Sequence, residues 1–292
     1  MAVNERAAAR PVRGLTLADA WRSFRTAIGL GWAIESNWSD PFLFAIYTLA
    51  KPLAAAMILV LMFQVITGGR GTEFLQFMIV GSALWNVVFG VMGGLVQSIL
   101  EDRERYRMMK YVVVTPSSLF PFLLGRSLAR VLISFVAVAL TLLVGVVFLG
   151  VELQPTLAMF VPATVLGILA VMALGIFMAG WCLQLRQEAW SYPEAIAGAL
   201  YLISGAIFPI DVLPAFLHPI AYASPTTWWL EASRRGLLGH GSPGVLGGLS
   251  DGIVMLFLVM STAVAIPLAL AAFRWFIYRA RQAGLLDMVT GS

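Results

Sequence analysis

Hydrophobic residues run nearly unbroken through six stretches of this chain: Phe42–Phe63, Phe77–Leu100, Leu128–Gly150, Leu157–Leu183, Ser191–Phe208 and Gly252–Phe276. A helix rises about 1.5 Å per residue, so about 18 or more apolar residues reach across a hydrocarbon core roughly 30 Å thick. The pattern predicts six membrane-spanning helices. Ahead of the first, Leu17, Trp21, Phe24, Ile28 and Trp32 recur at helical spacing, while Asp19, Arg22, Arg25 and Thr26 mostly fall elsewhere. That is the pattern of a helix lying in the membrane interface. Trp38 adds an interface anchor, and Asp40 followed by Pro41 suits the N-cap and first turn of the span that follows.

Two of the gaps between spans have patterns of their own. After the second span, Glu101, Asp102, Arg103, Glu104, Arg105, Arg107 and Lys110 alternate in sign at helical spacings, and Tyr106, Met109 and Val113 add an apolar stripe. Pro116 disfavours helix at Thr115, so this charged helix is expected to stop there. Ser117 or Ser118 can cap a new helix that tolerates Pro121 in its first turn. After the fifth span, prolines at 209, 214, 219 and 225 forbid a continuous helix. Irregular backbone at membrane depth is tolerated only where protein or a watery cavity surrounds it.

Composition agrees with the pattern: 60% of the 292 residues are hydrophobic, 12% are charged, and the mean hydropathy is +0.88. A soluble domain has no use for so much apolar surface. The net charge of +4 follows from membrane asymmetry and calls for no nucleic-acid partner. Arg6, Arg10, Arg13, Arg22 and Arg25 precede the first span, and Arg103, Arg105, Arg107, Lys110, Arg126 and Arg130 flank the second gap. Arg186 sits in the fourth gap, and Arg274, Arg279 and Arg281 close the chain. The other face has only Arg70, Arg234 and Arg235. Basic flanks stay cytoplasmic, so both termini are predicted on that side.

Candidate chemistry is sparse. Polar groups inside spans are costly in lipid and mark candidate pathway positions. Lys51, beside Pro52, either faces a cavity or an acid, or snorkels to the interface. Asn86 and Gln97 in the second span and Ser204 in the fifth either line a route or bond between helices. The single cysteine, Cys182, can form neither an internal disulfide nor a multi-cysteine metal site, and His218 and His240 have no partners at metal-ligand spacing. No metal site is predicted.

The order of charged helix, aliphatic triplet Val112 to Val114, Thr115-Pro116-Ser117 and then Leu124-Gly125-Arg126 resembles permeases of the ABC-2 family of ATP-binding cassette transporters. Gly205-Ala206-Ile207-Phe208-Pro209, Leu213-Pro214, Ala221-Tyr222, Ser224-Pro225 and Thr226-Thr227 resemble the pattern of the same family between its fifth and sixth spans. The resemblance covers nearly the whole chain in span number and loop order. Arg107-Met108 departs from the Gly-Thr that many members carry.

The resemblance implies one all-α polytopic transmembrane domain over residues 1–292, with a cytoplasmic arm and interfacial helix over 1–40. It implies a coupling loop over 101–127, seated in a separate ATPase subunit through Glu101, Asp102, Arg103, Glu104, Arg105, Tyr106, Arg107, Met109, Lys110, Thr115 and Pro116. It also implies re-entrant helices at the outer leaflet over 209–250, with Phe208, Pro209, Leu213, Pro214 and Pro225 near the outer gate. A second permease copy or relative would complete the route, in a bacterial or archaeal cytoplasmic membrane. Hydrophobic drugs, lipids and lipid-linked glycans are the cargo classes it suggests, moved outward. The two lysines, Lys51 before Pro52 and Lys110 before Tyr111, cannot be phosphate-loop lysines, so ATP and Mg are expected on the partner and no cofactor on this chain.

Two other classes fit less well. An ion-gradient-driven secondary transporter would favour acids in mid-span and paired broken helices, whereas Glu194 and Asp251 sit at span ends. An intramembrane enzyme would want paired His, Asp or Glu in mid-span, and no such pair occurs there.

Overall fold

Residues 17–36, 72–108, 119–185 and 191–285 are described by the computed structural model, together with isolated positions between 42 and 68. Among them every regular element is helical. The α-helices are α1 (Leu17–Glu35), α2 (Thr72–Leu100), α3 (Leu119–Leu149), α4 (Leu157–Cys182), α5 (Ser191–Ile203), α6 (His218–Ala223), α7 (Pro225–Leu238) and α8 (Asp251–Gln282). A π-helical turn over Glu101–Arg105 prolongs α2, and short 3-10 turns lie at Ile210–Val212, Ala215–Leu217 and Val245–Gly248.

The bundle is arranged around α2, which packs against α3, α4, α5 and α7. Its apolar window is 78% buried, against 22–28% for the windows of α3, α4 and α8. A helix apolar on every side is buried on every side when protein surrounds it, and Val80, Leu84, Val88, Val91, Met92, Leu95 and Ile99 fill the core accordingly. The outer helices keep apolar faces exposed, as Val147, Phe148, Val165 and Leu268 show. Lipid solvates such faces.

Four helical stretches are long and apolar enough to cross a membrane among the described residues: Glu73–Arg105, Pro121–Leu149, Leu157–Cys182 and Asp251–Gln282. They correspond to the second, third, fourth and sixth expected spans, with the third beginning earlier than Leu128 and the sixth running past Phe276. The helical extent of the expected fifth span is corrected. Its helix stops at Ile203 rather than Phe208, because Gly205 takes a left-handed φ of +73° and the backbone then unwinds toward Pro209. At 13 residues α5 is about 20 Å long, short of a hydrocarbon core. The expected first span, Phe42–Phe63, lies largely outside the described residues, and so does Trp38 to Pro41.

Helix α1 lies across the first turns of α3 at unusually close range. A Cβ on Gly125 would sit 2.4 Å from the Phe24 carbonyl oxygen, and one on Gly31 would sit 2.5 Å from that of Arg126. Small residues let helix backbones approach in this way, and Ala27, fully buried, completes the crossing. Gly125→Val is therefore expected to destabilise the protein by roughly 1–3 kcal/mol. Gly29→Ala, where a Cβ meets nothing within 4 Å, should be neutral or slightly stabilising. Thermal unfolding in detergent, with limited proteolysis of α1, distinguishes the two.

Candidate functional site

At the end of α2 the chain shifts from α to π winding, with Tyr106 N–H donating to Glu101 O, and Met108 N–H closes the turn on Asp102 O. Arg107 then takes a left-handed φ of +50°. This geometry rotates the first three charged residues inward: Glu101, Asp102 and Arg103 are buried at 6%, 0% and 1% exposure. Each is paired, as buried charges must be. Arg126 on α3 donates Nη2 to Glu101 Oε2 at 2.9 Å and brings Nε within 3.6 Å of Asp102 Oδ1. One turn on, Arg130 donates Nη2 to Glu101 Oε1 at 2.9 Å and Nε to Glu35 of α1. Arg103 Nη1 donates to the Cys182 carbonyl at the end of α4, and its Nη2 pairs with Glu104 at 2.6 Å. One ionic knot thus joins the ends of α1, α2, α3 and α4.

The expectation of a continuous charged docking helix from Glu101 to Thr115 is corrected here. The helix ends at Arg105. Glu101, Asp102 and Arg103 face the bundle, and the Glu104 side chain is also largely covered. The outward residues are Arg105, Tyr106 and Arg107, with the Arg105 guanidinium 5.7 Å from the Tyr106 ring centre. Met109, Lys110, Thr115 and Pro116 lie outside the described residues, as does Lys51.

Asn86 and Gln97 share a face of α2, eleven residues or about 16 Å apart. Between them Phe89 is 44% exposed and Gly90 and Gly93 are half-buried, so the otherwise covered helix has one open stripe. Asn86 Nδ2 donates back to the Ser82 and Ala83 carbonyls of its own helix. Ser204 is not part of this stripe. It is buried near the far end of α2, beside Phe77, Thr227, Glu231 and Arg234.

That far end holds a second buried charge system, in the stretch expected to form re-entrant helices, where Arg234 and Arg235 counted only toward topology. All of α7 is buried, including Glu231, Arg234 and Arg235. Arg235 donates to Glu231 Oε1 and Asp251 Oδ1, and also to the Leu246 and Leu249 carbonyls, each at 2.7 Å. Ser242 Oγ donates to Glu231, and Val245 N–H to Asp211. Arg234 Nη2 donates to the Gly205 and Ala206 carbonyls at 2.7 and 2.8 Å while its guanidinium lies 3.7 Å above the Phe77 ring. It caps the terminus of α5 from another helix. Burial lowers its pKa to about 10, which leaves it protonated at neutral pH. Gly81 makes the contact possible, since a Cβ there would fall 1.9 Å from Ala206 O.

Of the outer-gate candidates, Phe208, Pro209 and Leu213 are half-buried, Pro214 is exposed, and Pro225 is buried at the start of α7. Pro225 also borders an apolar groove of about 520 Å³ between α4 and α8, with Phe177, Tyr222, Trp228, Phe257 and Leu268 among its walls. No cluster of His, Cys, Asp and Glu suited to a metal ion occurs among the described residues. The sequence left one signal for the second charge system unused: Glu231 and Arg235 stand at i and i+4 on one helix face. Arg126 and Arg130 had the same spacing but counted only toward topology.

The family model for ABC-2 type transporters matches residues 29–238. The chain belongs to that family. Its π turn and ionic knot, its open α2 stripe and α7 with Arg234 all fall inside the matched range. This ABC-2 chain is also similar to the probable multidrug ABC transporter permease YbhS of Escherichia coli, in strains K12 and O157:H7. Each match is 24% identical over 187 residues, covering 62% of this chain and 47% of the relative. The chain therefore spans about half the length of the curated relatives it matches.

Removing Arg126 from the ABC-2 chain takes away the arginine beside Asp102 and leaves Glu101 with Arg130 alone, and breaking a buried pair in this way costs about 3–5 kcal/mol. Arg126→Gln is accordingly expected to fall sharply in folded yield and detergent melting temperature. Arg126→Lys should recover only part of the loss, since lysine lacks the fork that meets two acids. Fluorescence-detected size exclusion across a temperature series reads both.

Proposed function

We propose that this chain is the membrane subunit of an ABC exporter, paired with a second permease copy or relative and driven by a separate ATPase subunit. The observation that carries the reading is the continuity of α2. Its open Asn86–Gln97 stripe runs on into the π turn that ends at Arg105, directly before the outward Tyr106 and Arg107, and the turn is fixed to α1 and α3 by the buried ion pairs and to α4 by the Arg103 hydrogen bond to the Cys182 carbonyl. A push on the outward turn moves the stripe.

In this reading Tyr106, Arg105 and Arg107 seat on the ATPase, while Glu101, Asp102 and Arg103 transmit force. Asn86, Phe89 and Gln97 line the route. The polar stripe beside apolar helix faces, and the apolar groove next to Pro225, suit a hydrophobic or amphipathic cargo such as a drug, lipid or lipid-linked glycan. The name given to YbhS points the same way. ATP and Mg reside on the partner. Both termini face the cytoplasm across a bacterial or archaeal inner membrane, by the Arg-rich flanks, and a first span over 42–63 and a crossing made by α5 together with the unwound segment toward Pro209 bring the count to six. An ion-gradient mechanism needs carboxylates free to titrate along a route, and the buried Glu101, Asp102 and Glu231 are each held by arginine.

Purification from native membranes is expected to bring down a phosphate-loop ATPase in stoichiometric amount. Tyr106→Ala and Arg105→Glu should each cut that association about thirtyfold or more, the effect of about 2 kcal/mol at a central aromatic or charged contact, with the melting temperature of the membrane subunit unchanged. Asn86→Leu with Gln97→Leu should leave association intact and lower cargo flux into inverted vesicles. Full association in both Tyr106 and Arg105 variants would remove the turn from the contact.

A further inference from the structure

The exposed residues of α1 form a pattern that subunit coupling leaves unexplained. At 3.6 residues per turn, Trp21, Trp32, Arg25, Arg22 and Thr26 fall within an arc of about 140°. Trp21 and Trp32 are 63% and 53% exposed, and Arg22, Arg25 and Thr26 are exposed as well. The two rings lie toward the Phe24–Ile28 flank, the two guanidiniums on the side away from it. The acid nearest the helix C-terminus, Glu35, is taken by Arg130. No ion pair holds Arg22 or Arg25 among the described residues.

The height of α1 is fixed by its contacts. It crosses α3 at Gly125 and Arg126, within the first turns of a spanning stretch that begins at Pro121. That is the level at which hydrocarbon gives way to headgroups, where indole rings are at home and where an anionic leaflet attracts basic residues. Two rings to hold acyl-chain carbons and two guanidiniums with no ion-pair partner among the described residues fit one ligand chemistry.

We propose that the outward face of α1 is a binding site for an anionic phospholipid, with its phosphate on Arg22 and Arg25 and its upper acyl segments against Trp21 and Trp32. Through Glu35 and Arg130 the site adjoins the ionic knot that secures α2. The occupant is a bilayer lipid, chosen by charge, whatever cargo the transporter carries.

The test reads binding directly and does not need a working transporter. The full chain is reconstituted in nanodiscs with a phosphatidylglycerol carrying a photoreactive group near its headgroup, and the labelled peptides are mapped by mass spectrometry. Labelling of residues 17–36 is expected, displaced by unlabelled phosphatidylglycerol and not by phosphatidylcholine. Arg22→Gln with Arg25→Gln should reduce it roughly thirtyfold, as the loss of two basic residues at an anionic surface implies, while the Arg22→Lys, Arg25→Lys pair keeps it. Equal competition by phosphatidylcholine, or undiminished labelling in the Gln variant, overturns the proposal. So does a Gln variant that keeps its labelling but loses the ATPase subunit, which would make this face a protein contact.

Discussion

Two arginines one turn apart on α3 hold the end of α2 in place. Without Arg126 and Arg130, Glu101 and Asp102 would be bare charges in a low-dielectric interior, and the cost of that is larger than most of the apolar contacts around them. With the arginines present, the same carboxylates become a fixed point to which α1 is tied through Arg130 and Glu35, and the adjoining Arg103 ties the turn to the end of α4. The π turn is part of this arrangement. Ordinary α winding separates successive residues by about 100°, and the wider turn alters which residues of 101–108 point inward.

The central helix then has two kinds of surface at once. Most of it is dry, packed by valines, leucines and glycines that admit close neighbours. A single strip with Asn86, Phe89, Gly93 and Gln97 is not covered. In a bundle whose other long helices show apolar faces outward, this strip with two amides lies on the most buried of the spanning helices, which is why the proposed route is drawn along it.

The apolar runs made the helical, membrane-spanning architecture legible from the sequence, because hydrophobic length maps directly onto hydrocarbon thickness. The family was legible too, through the charged segment, Thr115-Pro116 and the proline-rich outer stretch taken together. Burial of charge was not legible. Glu101 to Arg103 read as part of a helix seated in a partner subunit, since nothing local reveals that Arg126 and Arg130, some 25 residues later, fold back on them. Arg234 shows the same limit: its partners are carbonyls of Gly205 and Ala206 and the ring of Phe77, and no pattern in sequence links an arginine to distant main-chain oxygens. The early end of α5 had a visible cause in Gly205 and Pro209, but hydropathy alone carried the expected span through to Phe208.

The burial of α7 changes the electrical account of the two membrane faces. Counted along the chain, the outer side owns Arg70, Arg234 and Arg235. In the fold, Arg235 is matched by Glu231 and Asp251, and Arg234 directs its charge into carbonyl dipoles and an aromatic ring. Neither contributes to the field felt by an approaching molecule. With the orientation proposed here, the outer surface is therefore nearly devoid of basic attraction while the cytoplasmic surface is rich in it, so an anionic amphiphile would dwell preferentially on the cytoplasmic side.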